Sequence, residues 1–184
     1  MPHSPHHVYS ADRASFLRSG LRKFLMNPVK LLSPLVREGM TILDMGCGPG
    51  FFTIAAAGIV GPRGKVIAAD LQQAMLDLVS EAIKGDEISQ RIVLHKCSEE
   101  RIGVTEPVDC VLAIHVVHEL PDRKGFFSEM KSIIGEGGTL FLMEPSFVVS
   151  KKEFGETLDI ALRTGFCLAG RKRKILSRIA VFTS

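Results

Sequence analysis

No stretch of this sequence is apolar for long enough to cross a bilayer, and its first residues, Met1 to His7, are Pro- and His-rich with no apolar core. They read as neither a membrane span nor a signal peptide. The four cysteines, Cys47, Cys97, Cys110 and Cys167, never fall into the paired spacing of a zinc knuckle or a redox-active C-x-x-C. Buried thiols in a reducing compartment are expected, which points to the cytoplasm. Charge of one sign is not in excess either: the formal net charge is +3, with acids and bases interspersed. Bulk electrostatics therefore name no polyanionic partner. Internal repeats and linker-like composition are missing as well. With 184 residues, 46% of them hydrophobic, a single domain over 1–184 is expected, since a chain near this size buries roughly 70% of its unfolded surface.

What the sequence does contain is a glycine-rich turn joining an apolar strand to an apolar helix, Ile42-Leu43-Asp44-Met45-Gly46-Cys47-Gly48-Pro49-Gly50. Alternate glycines let the backbone bend sharply and approach a ligand, and the following helix offers unpaired N–H groups at its start.

Around this turn the apolar pattern alternates between strand and helix. Thr41 to Met45 reads as a buried strand, Phe51 to Val60 as a helix, and Lys65 to Ala69 as a second strand ending at Asp70. A helix near Gln72 to Lys84, strands near Ile92 to Cys97 and Val108 to Ile114, and a helix from Asp122 to Ile134 follow. Gly137-Gly138 is expected to end that helix. Thr139 to Met143 supplies a fifth strand and Lys151 to Arg163 another helix. Between Phe166-Cys167-Leu168 and Ile179 to Phe182 no helix fits, so a hairpin turning through the basic run Arg171 to Lys174 is expected. The sum is an α/β fold, a mostly parallel sheet covered on both faces with one antiparallel edge. Before it, Phe16, Leu17, Leu21, Phe24 and Leu25 recur at helical spacing, and Val29 to Leu35 suggests another short helix after Asn27-Pro28. Residues 1–36 thus read as an N-terminal helical extension or lid, with Tyr9, Phe16 and Phe24 as candidate contacts.

In an open α/β sheet the ligand sits outside the carboxyl ends of the strands, where Gly46, Gly48 and Gly50 lie. Asp70 closes the next strand about twenty residues on, which suits a carboxylate accepting from two ribose hydroxyls. The spacing Asp44-x-Gly46-x-Gly48-x-Gly50 is not the G-x-G-x-x-G of dinucleotide sites. A carboxylate before the first glycine repels a pyrophosphate and can help hold an amino group.

On these residues the chain resembles the class I methyltransferases that use S-adenosylmethionine, from about Leu31 to the C-terminus. It is most similar to the small-molecule branch of ubiquinone and menaquinone biosynthesis. The resemblance implies a Rossmann-like sheet of seven strands, mostly parallel, with a C-terminal antiparallel hairpin and helices on both faces. It implies methyl transfer from S-adenosylmethionine to a small-molecule acceptor, with S-adenosylhomocysteine as product. By position, Asp44 and the turn Gly46, Cys47, Gly48 and Gly50 would surround the methionine part of the donor, and Asp70 its ribose. Leu71 and Met75 would flank the adenine, although both also fit an ordinary core. Where many relatives carry Asp-Ala for the adenine amino group, this chain has Cys97-Ser98; the thiol is a weak acceptor, leaving Ser98 or Glu99 to substitute. Ile114 and His115 would border the methyl group. An Asn-Pro-Pro-Tyr type sequence is missing, which argues against the branch that methylates amide or exocyclic base nitrogens.

Alignment of acceptor, methyl carbon and sulfur can supply much of the acceleration in such a displacement. For an oxygen or carbon acceptor, a histidine with pKa near neutrality can remove the proton, which makes His115 and His118 the candidate catalytic residues. The alternative is that His118 pairs with local backbone, or that Glu119 caps the next helix. As a metal site, His115-x-x-His118-Glu119 lacks a third identified ligand and differs from H-E-x-x-H, so no metal is expected. Arg171-Lys172-Arg173-Lys174 contains no interleaved aromatic, so nucleic acid is not the expected partner. An RNA or protein methyltransferase, and a non-catalytic protein that binds the same donor, are the competing readings.

Overall fold

A computed structural model describes residues 27–174 and 176–184. Seven strands among them form one sheet: β1 (Thr41–Met45), β2 (Lys65–Asp70), β3 (Ile92–Lys96), β4 (Val108–Ile114), β5 (Ile134–Pro145), β6 (Cys167–Lys174) and β7 (Ser177–Thr183). Their spatial order is β3-β2-β1-β4-β5-β7-β6. β3 through β5 are parallel, whereas β7 runs antiparallel to both β5 and β6. The class I arrangement with its terminal hairpin is therefore present.

Alternation along the strands divides the core in two. Ile42, Val66, Ala68, Leu112 and Phe141 face α1 (Pro28–Leu32), α2 (Phe51–Val60) and α3 (Gln73–Ala82). Leu43, Ile67, Val111, Leu140 and Ala180 face α4 (Arg123–Ile133) and α5 (Lys151–Arg163). Strands buried on both sides read as continuous apolar runs, which is why β1 and β4 stand out in the sequence. The hairpin is fastened to the second core by aromatics: Phe127 meets Phe166 and Phe182 edge-on, with ring centroids 6.2 and 6.4 Å away.

Helix starts follow from capping chemistry. Asn27 accepts from the Lys30 N–H at 2.9 Å ahead of Pro28, and Asp122 accepts from the Gly125 N–H at 2.8 Å. Ser150 and Glu153 form a reciprocal box, each side chain accepting the other's backbone N–H. At the start of α2 the capping position is held by Gly50, which has no side chain to offer.

Two expectations are corrected. Gly137-Gly138 does not end α4, which stops at Ile133; both glycines lie inside β5. There the register jumps from Val108↔Ile134 to Cys110↔Thr139, so the extra residues bulge out, with Gly137 at φ 73°. The basic run Arg171 to Lys174 is not the hairpin turn but the second half of β6, paired with Ser177 to Ala180 of β7. As the outermost strand it keeps its charges in water, and charged side chains discourage a second chain from pairing there. The helix proposed over Phe16 to Leu25, with Tyr9, Phe16 and Phe24, lies outside the described residues.

From β1 the sheet extends through β2 and β3 on one side and through β4 and β5 on the other. The carboxyl ends of β1 and β4 thus diverge into a crevice, the location the sequence pattern assigns to a ligand.

Candidate functional site

The glycine turn fills one wall of the crevice. Gly46, Gly48 and Gly50 all have left-handed φ, at 67, 53 and 87°. A Cβ on Gly46 would sit 2.6 Å from Cγ2 of Val116, so the turn and the loop after β4 pack backbone against side chain. The N–H groups of Gly46 and Cys47 are both donated to the Ala69 carbonyl, which ties the turn to β2.

Asp70, at the end of β2, organises the floor. Its Oδ2 accepts from the Gly48 N–H at 2.9 Å and its Oδ1 from the Gln72 N–H at 2.8 Å. Each oxygen retains further acceptor capacity toward the crevice. Burial raises its pKa above the ordinary value, against the N–H groups of Gln72 and Gly48 and the ammonium of Lys96. Asp44 lies deeper, 2% exposed, and accepts the Thr53 hydroxyl at 2.6 Å. Burial pushes it up to about 6, opposed by the Thr53 hydrogen bond and reinforced by the charge of Asp70.

Beyond β3 the chain turns through Cys97, Ser98 and Glu99. Cys97 donates its N–H to the Asp70 carbonyl, and burial pushes its thiol up to about 12, so it stays protonated. Glu129, from α4, accepts the N–H groups of Ile102 at 3.1 Å and Gly103 at 2.6 Å, fixing the far end of this loop.

The opposite wall follows β4. His115 has φ 60°, the one positive value among described residues other than glycine, and donates its N–H to the Met143 carbonyl at 2.7 Å. His118 sits in the single helical turn Val117–Glu119 and contacts Glu144 of β5 through its ring Nδ1 at 2.6 Å. Burial alone would lower the His118 pKa, but the hydrogen bond and charge of Glu144, with Glu119 adding, raise it overall. Burial also raises Glu119, with Glu144 and Asp70 adding and His118 opposing.

These walls enclose a cavity of about 570 Å³, within the range of small-molecule and cofactor sites. Of the residues expected at a site, Gly46, Cys47, Gly48, Asp70, Leu71, Met75, Cys97, Ser98, Glu99, Ile114, His115 and His118 line it; Asp44 and Gly50 stand behind its wall. The helix cap is Asp122, while Glu119 also faces the cavity. Glu129 and Glu144 were not legible as site residues: nothing in the helical spacing marks Glu129. Glu144 does leave a trace, as a carboxylate at the end of an apolar strand.

The wall carries Asp70, Glu99, Glu100, Glu119, Asp122 and Glu129 against one formal cation, Arg101. A pyrophosphate would be repelled there, whereas a ligand with a sulfonium and an ammonium group would be attracted. The residues present therefore fit S-adenosylmethionine and do not fit a dinucleotide.

Comparison with known proteins agrees. The chain is 31% identical over 130 residues to a demethylmenaquinone methyltransferase of Lactobacillus johnsonii, covering 70% of this chain and 51% of that protein. To a demethylmenaquinone methyltransferase of Bacillus cereus it is 30% identical over 111 residues, 60% of this chain and 47% of that protein. The chain thus spans about half the length of the curated relatives it matches. Among solved structures, a SAM dependent methyltransferase from Aquifex aeolicus superposes with a TM-score of 0.85 at 23% identity, covering 96% of this chain and 99% of that one. A TehB-like SAM-dependent methyltransferase from Corynebacterium glutamicum gives 0.72 at 17% identity, over 95% and 100%. At such identities the structures show the shared fold alone. Residues 36–164 match the methyltransferase domain family. That match runs through the glycine turn, Asp70 and both histidines, and the chain belongs to this family.

Proposed function

We propose that this chain transfers a methyl group from S-adenosylmethionine to a small-molecule acceptor by in-line displacement. The observation that carries the reading is the Asp70 carboxylate, held by the Gly48 and Gln72 N–H groups at the floor of an acid-lined cavity. When bound, the donor supplies an electrophilic methyl carbon on a sulfonium. Asp70 accepts from its ribose hydroxyls, and Gly46, Cys47 and Gly48 approach its methionine part through backbone. Asp44 and Gly50 support that wall from behind. Leu71 and Met75 flank the adenine; Ser98 and Glu99 take the place of the acid that Cys97 replaces. Ile114 and His115 border the methyl group, and His118 lies at the acceptor end.

An acceptor of small size is supported by the relatives named for demethylmenaquinone and by the position of the basic strand. Arg171 to Lys174 lie on β6, separated from β5 by β7, and no residue of β6 lines the cavity. Among the described residues no helix is long and apolar enough to cross a membrane. With Cys47, Cys97 and Cys110 buried and unpaired, the reading extends to a cytoplasmic protein of one domain, with residues 1–36 as an N-terminal lid or extension.

Calorimetric titration with S-adenosylmethionine, S-adenosylhomocysteine and NADH tests this reading. The two adenosyl compounds should bind and NADH should not. Selective binding of NADH would sink it.

A further inference from the structure

Large apolar side chains left in water gather at one end of the sheet. Phe147 is 75% exposed, Val148 54% and Leu176 58%. Phe147 and Val148 sit in the turn that follows β5, and Leu176 in the turn between β6 and β7. The two turns are joined where the Ser146 N–H is donated to the Leu176 carbonyl at 3.0 Å. Folding thus brings these residues together at turn tips, where no buried contact accounts for them.

The charges flanking them are of one sign. Neither 146–152 nor 171–178 contains an acid. Lys151 and Lys152 open α5 just beyond the first turn, and Arg173 and Lys174 end β6 just before the second; all four are exposed. Local stability does not explain this placement. Lysines at the start of a helix oppose its macrodipole, and Arg173 stands opposite Arg178 in the β6–β7 register, where like charges destabilise a sheet. Of the acids next along α5, Glu153 accepts the Ser150 N–H and Glu156 lies 3.9 Å from Lys152. A second copy of this chain on the patch would set these bases against one another. A nucleic acid would satisfy the bases but offers nothing to Val148 and Leu176. An anionic lipid surface offers both headgroup phosphates and acyl chains.

We propose that these two turns dock the protein on anionic lipid bilayers, with Phe147, Val148 and Leu176 in the interface and the flanking bases against the headgroups. Phe147 and Val148 also line the cavity, so docking sets the rim of the cavity against the lipid. The contact is peripheral and reversible, because a few apolar side chains and a few bases bind a bilayer only in combination. Docking goes beyond methyl transfer and does not depend on the donor assignment.

The sequence contains no tryptophan, so Phe147→Trp gives the full-length protein a single reporter. On vesicles of phosphatidylglycerol and phosphatidylcholine in equal parts, its emission should shift to the blue and be quenched by brominated acyl chains. Val93→Trp, on exposed β3 at the other edge of the sheet, should do neither. Sedimentation of the wild type with the same vesicles should show binding at about 0.1 M salt that is released at about 1 M. On phosphatidylcholine alone binding should be about tenfold weaker. Phe147→Ser with Leu176→Ser, and separately Lys151→Gln with Lys152→Gln, should each lower the partition coefficient by about tenfold with the urea midpoint of unfolding unchanged. No binding to the anionic vesicles, equal binding to both lipids, or an unshifted emission from Phe147→Trp would overturn the proposal. So would tighter binding to single-stranded RNA than to the vesicles, or self-association in lipid-free solution that Phe147→Ser with Leu176→Ser abolishes. Failure of the wild type to bind S-adenosylhomocysteine would strike the donor assignment and leave the vesicle result standing.

Discussion

Asp44 offers a test in which stability and binding move in opposite directions. Its carboxyl is 2% exposed and burial raises its pKa from 3.8 to about 6. A folded pKa above the unfolded one means that the protonated form is favoured by folding. The stabilising contribution is complete below about pH 4 and is lost as pH rises through about 6. Linkage over the full interval gives about 3 kcal/mol, and between about pH 4.5 and pH 7.5 about 2 kcal/mol. Asp44→Asn removes the titration while its amide oxygen can still accept the Thr53 hydroxyl. The variant's stability relative to wild type should therefore improve by about 2 kcal/mol on going from about pH 4.5 to pH 7.5. For a chain of this size that is about 4–8 °C in relative midpoint. The amide NH₂ requires a partner that the carboxylate did not, so the absolute sign at one pH is less informative than the change between two. Scanning calorimetry or urea unfolding of both proteins without ligand at both pH values reads it directly. In parallel, wild-type affinity for S-adenosylmethionine should fall up to about tenfold from pH 7 to pH 5, as the negative charge behind the wall of a site for a cationic ligand is lost on protonation. The variant should lose much of that dependence. A stability difference that does not change with pH would refute the buried-acid reasoning, whatever the variant's affinity.

Three further outcomes follow from the geometry. Gly46→Ala places a methyl group against Val116 at a left-handed φ and should cost about 2–4 kcal/mol in urea unfolding; adding Val116→Ala should recover the packing part, and a cost under about 1 kcal/mol would contradict the close approach. Glu129→Ala should release the Ile102 and Gly103 amides, seen as faster hydrogen exchange, and weaken S-adenosylhomocysteine binding by about tenfold; unchanged exchange would mean that the clamp is redundant. Lys172→Val with Lys174→Val on the outer strand should raise light scattering at high concentration while leaving the urea midpoint within about 0.5 kcal/mol of wild type; unchanged scattering would show that the edge is protected otherwise.

Where a segment is specified by its own residues, the sequence was a good guide. Thr41–Met45, Phe51–Val60, Val108–Ile114 and Lys151–Arg163 are bounded as the apolar pattern predicts, because strands buried on two faces and amphipathic helices carry their signal locally. Gly137-Gly138 misled because a glycine pair that can stop a helix also suits a bulge, and only the pairing partner distinguishes them. The basic run misled because an edge strand exposed along its length has no buried face to impose alternation on its sequence. At the site, the glycine turn and Asp70 were legible because their chemistry is consecutive or fixed by the length of one βαβ unit. Glu129 reaches its loop across 26 residues and Glu144 reaches His118 across 26. Neither distance corresponds to a local repeat, so tertiary structure alone brings these carboxylates into place.

The strand order also divides labour. Most residues assigned to the adenosyl and methionine parts of the donor come from the ends of β1, β2 and β3, whereas Ile114, His115 and His118, at the methyl group and beyond it, come from the end of β4, with the strand order reversing between β1 and β4. A change of acceptor can thus be accommodated by exchanging the segments on one flank, while the flank that reads the adenosyl group is inherited unaltered. The contact of Gly46 with Val116 is the seam between the two flanks. A designer who wishes to redirect this domain to new chemistry should graft on the β4 side of it and leave that seam intact.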